Sequence, residues 1–342
     1  MPLLDVLDLS VAYEVDGGTL HAVRGVSIEV HEGESLGLVG ESGCGKTTMA
    51  KALLKVLPPN GRITAGSIRL KGQDLVPLTE DQMREIRWRD VSMVFQSAMN
   101  ALDPVYRIQD QIVEAIDLHE KVSRRVAVRR AEELFDLVGI DRKRLRDYPH
   151  QLSGGMRQRA CIAIALAVHP SLLVADEPTT ALDVIVKDQV LERITTLQHD
   201  LGIALIYVSH DISVVAETCG RVAIMYAGQI VEYGSVATVL SAPLHPYTMG
   251  LLNAFPSLFG AKRLVAIPGY PPNLLAPPPG CAFAARCPFA EDVCATDVPP
   301  LHEVNPGHAA ACHFAGRAEA FRAMASRRET WQRSGDATGG TG

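Results

Sequence analysis

Two stretches of the chain carry groups suited to phosphate chemistry. In Gly40-Glu-Ser-Gly-Cys-Gly-Lys46-Thr47-Thr48, Gly40, Gly43 and Gly45 allow backbone amides to approach phosphate oxygens closely. Lys46 is a point charge for the β and γ phosphates, and the Thr47 hydroxyl can ligate magnesium. Ser42, Cys44 and Thr48 belong to the same expected cradle. Further on, Asp176 and Glu177 stand side by side after Leu172-Leu-Val-Ala175. Asp176 is expected to hold magnesium, directly or through water, and Glu177 to polarise an attacking water. The competing reading is that these two acids merely cap the turn before Pro178. A third stretch, Tyr148-Pro-His-Gln-Leu-Ser-Gly-Gly-Met-Arg-Gln-Arg159, offers Ser153, Gly154 and Gly155 at a helix start, where amides, a hydroxyl and the helix dipole could face a γ-phosphate.

These groups need elements that bring them together. Ser35-Leu-Gly-Leu-Val39 reads as a strand entering the glycine-rich loop, and a helix follows with Met49, Leu53, Val56 and Leu57 on one face, stopped by Pro58-Pro59-Asn60-Gly61. Asp90 to Phe95 reads as a strand, Ile108 to Val138 as largely helical, and residues 97–168 as a helical insertion. Leu172 to Ala175 and Ile203 to Val208 are apolar runs expected of parallel strands covered on both faces. Such strands deliver ligand-binding groups at their carboxyl ends. Arg221–Tyr226 and Gln229–Tyr233 flank Ala227-Gly228, which suits a hairpin. No internal repeat is evident, and the chain holds one phosphate loop.

The 342 residues, 47% of them hydrophobic, suffice for one large core plus a smaller appendage. Net charge is -6 and pI about 6.0, which argues against binding nucleic acid; the basic run Arg124 to Arg130 reads as a solvated helix face. The longest apolar stretch, Cys161 to Ala175, is broken by His169 and Pro170, so no membrane-spanning helix is expected. Asp5 and Asp8 in the first apolar segment, without a basic start, argue against a secretory signal and for a cytoplasmic location. Glycines and threonines from Ser334 to Gly342 read as disorder.

Taken together, the phosphate loop, the Leu-Ser-Gly-Gly stretch and Asp176-Glu-Pro-Thr-Thr-Ala-Leu-Asp183 resemble the nucleotide-binding subunit of an ATP-binding-cassette (ABC) machine. The resemblance spans about residues 4–314. It implies an α/β fold: a P-loop NTPase (RecA-like) core with an antiparallel β-subdomain, a helical insertion and a small Cys-rich C-terminal extension. The implied division is a nucleotide-binding domain over 1–245, the C-terminal region over 246–320 and a largely disordered tail over 321–342. In the family, Gln96 senses the γ-phosphate and magnesium, Asp183 organises the dimer interface, His210 contacts the γ-phosphate, and Ser153, Gly154 and Gly155 complete the partner subunit's site. His210 alone would read as a core histidine, but its place at the end of an apolar strand favours the family role. Tyr13 is the candidate to stack on adenine, with simple packing as the alternative.

Tyr148-Pro-His-Gln151, His245-Pro-Tyr247, Ile267-Pro-Gly269 and the block from Gly280 to Cys312 resemble most closely the ATPase subunits of dipeptide and oligopeptide import permeases, a group that includes nickel importers. The resemblance implies a second ATPase subunit, identical or homologous, two integral-membrane permeases, an extracytoplasmic peptide-binding protein, and a place on the cytoplasmic face of the membrane. A soluble ABC protein acting on nucleic acid or ribosomes is the competing class. Cys281, Cys287, Cys294 and Cys312, spaced x5, x6 and x17, are associated in this group with a [4Fe-4S] cluster; zinc would accept the same four ligands, and no metal is the third possibility. A redox-sensing role for this block is a further alternative to a structural one. Cys44, beside Lys46 and a helix start, is expected to have a lowered thiol pKa, so that its alkylation blocks ATP hydrolysis and bound ATP protects it; an inert thiol is the alternative.

Overall fold

The computed structural model describes residues 1–96, 101–179, 184–254 and 266–332. β1 (Leu4–Val15) and β2 (Gly18–Val30) form a long hairpin turned at Asp16-Gly17, where Gly17 takes φ 101 at little steric cost. β3 (Ser35–Val39) runs into α1 (Lys46–Leu53), and β4 (Gly61–Leu70) with the short β5 (Gln73–Asp74) joins the free edge of β1. After α2 (Glu80–Ile86), opened by a Thr79/Gln82 capping box, comes β6 (Val91–Val94). α3 (Ile108–His119), α4 (Arg124–Leu137) and α5 (Gly154–Ala165) then precede β7 (Leu172–Asp176). The chain continues through α6 (Val184–Leu201), β8 (Ala204–Ser209), α7 (Ile212–Thr218), β9 (Arg221–Tyr226), β10 (Gln229–Ser235), α8 (Val236–Ser241) and α9 (Pro246–Asn253). Beyond residue 265 lie α10 (Asp292–Thr296), β11 (His302–Asn305), β12 (His308–Ala310), α11 (Ala318–Ala325) and α12 (Arg328–Gln332).

Two sheets result. The smaller is antiparallel, in the order β2-β1-β4-β5. The larger has the order β11-β12-β10-β9-β3-β8-β7-β6, and its strands from β9 to β6 are mutually parallel. β7 and β8 are buried at every position, as the continuous apolar runs require of strands covered on both faces. β9 and β10 form the expected hairpin, with Ala227 at φ 48 and Gly228 at φ 82, the double positive-φ turn whose twist matches the flanking strands. In α4 the buried residues Ala127, Ala131, Leu134 and Phe135 follow helical spacing, and the basic residues at its start lie outside, as expected of a solvated face.

Three features differ from the sequence reading. α1 ends at Leu53, well before Pro58. Lys55 takes the left-handed φ 51, its N–H bonds to the Ala52 carbonyl and the Val56 N–H to the Lys51 carbonyl, which closes the helix with a Schellman motif. The Lys55 ammonium is then occupied by the carbonyls of Val76 and Leu78. The expected tail from residue 321 begins instead as α11 and α12: Ala318, Phe321, Ala325 and Trp331 are buried, and Phe321 stacks on Phe289 with centroids 4.2 Å apart. Residues 333–342 lie outside the described residues. Finally, β11 and β12 do not stand apart as a separate module, because β12 pairs with β10 and so extends the core sheet.

Candidate functional site

Four adjacent parallel strands, in the order β3-β8-β7-β6, end at one edge, and each delivers a sequence-predicted group there: the phosphate loop after β3, His210 after β8, Asp176 and Glu177 at the end of β7, and Gln96 two residues after β6. The loop needs its glycines for space. A Cβ at Gly40 would stand 2.1 Å from the Met225 carbonyl oxygen, and one at Gly45, at φ 106, would stand 2.3 Å from that of Ala22. Lys46 is 5% exposed and folded back over the loop; its Nζ donates to the carbonyls of Gly40 at 2.7 Å and Glu41 at 2.9 Å.

Thr47 Oγ1 donates to Asp176 Oδ1 at 3.2 Å, which brings a hydroxyl and a carboxylate to one point. Burial raises the Asp176 carboxyl pKa above its ordinary value, and the Thr47 hydrogen bond opposes that shift. One carboxylate and one hydroxyl form a hard-oxygen pair that fits magnesium, an ion that typically completes its octahedron with substrate phosphates and water. Glu177 sits at a positive φ of 45, an unfavourable conformation for a non-glycine residue, with its N–H bonded to the Val208 carbonyl. Its two carboxylate oxygens are held separately: Gln96 Nε2 donates to Oε2 at 3.0 Å, and His210 Nδ1 lies 2.9 Å from Oε1. A carboxylate only accepts, so Nδ1 carries the proton in this arrangement.

A cavity of about 520 Å3 is lined by Ser42, Gly43, Gly45, Lys46, Thr47, Thr48, Gln96 and Glu177, and by Tyr13, Leu20 and Ala22 toward the β-subdomain, with Asp176 and His210 outside its lining behind Thr47 and Glu177. Tyr13 is anchored there, its hydroxyl donating to Thr48 Oγ1 at 3.1 Å. The sequence reading missed the rest of the lining, Pro271, Pro272, Asn273 and Leu274. The Leu274 carbonyl accepts from the His21 N–H at 3.0 Å, which seats this segment on β2. Its signal was the proline crowding of residues 268–279, which marks an extended, rigid segment but not its destination.

Ser153, Gly154 and Gly155 do not line that cavity. Ser153 caps α5, its Oγ accepting from the Met156 N–H, and a Cβ at Gly155 would stand 2.3 Å from Val186 Cγ1, so α5 and α6 approach too closely for any larger residue. Asp183 lies outside the described residues.

Two cysteine expectations are corrected. Cys44 is buried, and burial raises its thiol pKa; Lys46 Nζ, 3.6 Å from the sulfur, opposes the shift without reversing it. The iron-sulfur assignment fails as well: among the described residues, which include Cys281, Cys287, Cys294 and Cys312, no group of three or more His, Cys, Asp or Glu side chains is placed to hold a metal ion. Burial pushes the thiols of Cys281, Cys287 and Cys312 up, that of Cys312 to about 11, and neighbouring cysteines of the same block add to the shift.

Among the described residues no helix is long and apolar enough to cross a membrane. Residues 23–180 match the ABC transporter family, and residues 231–294 match the oligopeptide/dipeptide transporter C-terminal region. The chain is 48% identical over 315 residues to a probable peptide ABC transporter ATP-binding protein of Sinorhizobium fredii, covering 91% of this chain and 94% of that one. It is 46% identical over 311 residues to an oligopeptide transport ATP-binding protein of Bacillus subtilis, covering 90% and 87% respectively. A dimeric ATP-binding cassette solved in a post-hydrolysis state with ADP and phosphate superposes with a TM-score of 0.62 at 26% identity, over 68% of this chain and 98% of that one.

Proposed function

The chain belongs to the ABC transporter family, as an ATPase with a P-loop core, and we propose that it powers import of di- or oligopeptides through membrane permease subunits. The observation that carries the ATPase reading is the Glu177 carboxylate in the wall of the phosphate-loop cavity, held between Gln96 and His210. The peptide cargo rests on the C-terminal match and on the names of the relatives.

In the proposed reaction the loop amides and Lys46 bind the triphosphate, and Lys46 exchanges the Gly40 and Glu41 carbonyls for phosphate oxygens. Thr47 and Asp176 would hold magnesium, which would neutralise charge on the phosphates. Glu177 takes the proton of the attacking water, and Gln96 and His210 aim its carboxylate. Tyr13 takes the adenine ring.

Ser153, Gly154 and Gly155 face the γ-phosphate of a second subunit, and Asp183 contributes to that interface, so two chains close head to tail around two ATP molecules. Their absence from that cavity's lining within one chain supports this reading. Residues 1–245 act as the nucleotide-binding part, with the insertion over about 97–168 transmitting closure to the permeases, and 246–320 as the C-terminal part. The subunit then works at the cytoplasmic face of the membrane, supplied by an extracytoplasmic peptide-binding protein.

Affinity purification from detergent-solubilised native membranes tests the assembly. Two permeases and a second ATPase subunit are expected to co-purify, and recovery of ribosomes or nucleic acid instead would contradict it.

A further inference from the structure

The phosphate loop is gripped from outside by residues more than 200 positions along the chain. The Glu41 N–H donates to the Tyr247 hydroxyl at 2.9 Å, and the Glu41 carboxylate is held by both arms of Arg286, Nη1 to Oε2 at 2.8 Å and Nη2 to Oε1 at 3.0 Å. Arg286 is 6% exposed. Its remaining hydrogen bonds run from Nε to the Pro268 carbonyl at 2.9 Å and from Nη1 to the Tyr226 hydroxyl at 3.2 Å, and the guanidinium lies over the rings of Tyr226 and Phe283. A planar, bidentate and stacked pair of this kind is specific to arginine.

The location gives the pair a consequence. Glu41 follows Gly40 directly, its carbonyl accepts from Lys46 and from the Cys44 N–H, and its side chain points to Arg286 rather than lining the nucleotide cavity. Without the guanidinium, an unneutralised carboxylate would remain on the loop that must receive a triphosphate. The segment that begins with Pro268 also supplies Pro271–Leu274 to the cavity wall.

We propose that Arg286 is a positioning residue for the ATPase site: by anchoring and neutralising Glu41 it keeps the phosphate loop receptive to a triphosphate, while Pro271–Leu274 close the facing wall. Nucleotide binding and the packing of residues 268–286 are thereby coupled, and coupling of this kind is reciprocal. The inference rests on the nucleotide site proposed above.

Binding of a fluorescent ATP analogue, competed by magnesium-ATP, tests it on the full chain. R286M is expected to raise Kd roughly tenfold, the order for one unneutralised charge beside a phosphate site. In R286M/E41Q most of that loss is expected to be recovered, because the offending carboxylate is gone. A purely structural role for Arg286 predicts the opposite pattern, with the double variant no better than R286M. R286M within twofold of the parent, or a loss that E41Q leaves in place, would overturn the inference.

Should R286M fail to fold, amide exchange of the parent decides: magnesium-ATP slows exchange across residues 268–286 if the coupling exists, and unchanged exchange refutes it. A parent that does not bind the analogue sinks the ATPase reading itself, whereas a binding parent with an indifferent R286M sinks only this inference.

Discussion

Glu232 is fully buried in β10, and its carboxylate accepts three hydrogen bonds: from the Leu244 N–H at 2.7 Å, the His245 N–H at 2.9 Å and His308 Nε2 at 2.8 Å. It thus fixes the start of α9, whose Tyr247 reaches the phosphate loop, and the strand β12 that extends the core sheet. Replacing it with glutamine preserves the shape. One terminal atom becomes a donor, however, so whichever way the amide turns, at least one buried donor loses its acceptor and the surviving bonds lose their charge assistance. An orphaned donor costs about 1–3 kcal/mol and weakening of the remaining charged bonds about 1 kcal/mol more, so E232Q should destabilise the protein by about 2–4 kcal/mol. Urea unfolding of the nucleotide-free chain, read as a shift in midpoint at constant slope, measures this, and amide exchange at Leu244 and His245 should accelerate with it. A change below about 0.5 kcal/mol, within the range of ordinary surface substitutions, would refute the reasoning.

Other expectations follow from the site. Because burial raises the Asp176 pKa, protons should compete with magnesium over a higher range than at an ordinary carboxylate, so the magnesium needed for half-maximal nucleotide binding should rise as pH is lowered, starting above the usual carboxylate range, corrected for protonation of ATP itself; a flat profile would contradict this. Cys44 should resist iodoacetamide in the native protein and react on unfolding, as its burial and raised pKa require, and rapid native labelling blocked by ATP would reinstate the activated thiol. G155A forces a methyl against Val186 at the α5–α6 contact and should cost about 1–3 kcal/mol, seen as a lower melting temperature; a variant as stable as the parent would show that the helices can part freely.

The placement of the site's groups was legible because each follows its own apolar strand: Lys46 and Thr47 after β3, Gln96 after β6, Asp176 and Glu177 at the end of β7, and His210 after β8. Local sequence records such placements. Arg286, Tyr247 and Pro271–Leu274 were not legible as site residues, since they reach the loop by contacts spanning 206 and 245 positions and carry no local mark of their destination. The end of α1 was misplaced because Pro58 is a visible stop, whereas a left-handed Lys55 is not. Cys44 was misread because its neighbours, Lys46 and a helix start, can be seen in the sequence, while the burial that outweighs them cannot. The four C-terminal cysteines carry the same lesson, since close spacing in sequence did not arrange their side chains around an ion. In α11, Ala318, Phe321 and Ala325 do follow helical spacing, but the polar composition of the chain end concealed it.

The central claim is that Glu177, set between Gln96 and His210, drives the hydrolysis that powers transport. The most direct test is ATP hydrolysis and peptide uptake in proteoliposomes carrying the purified transporter with either the parent chain or E177Q. The account predicts that E177Q binds ATP with near-parental affinity while hydrolysis falls roughly 100-fold or more, the scale for loss of a general base, and uptake falls with it. Hydrolysis and uptake at parental rates in E177Q would contradict the account.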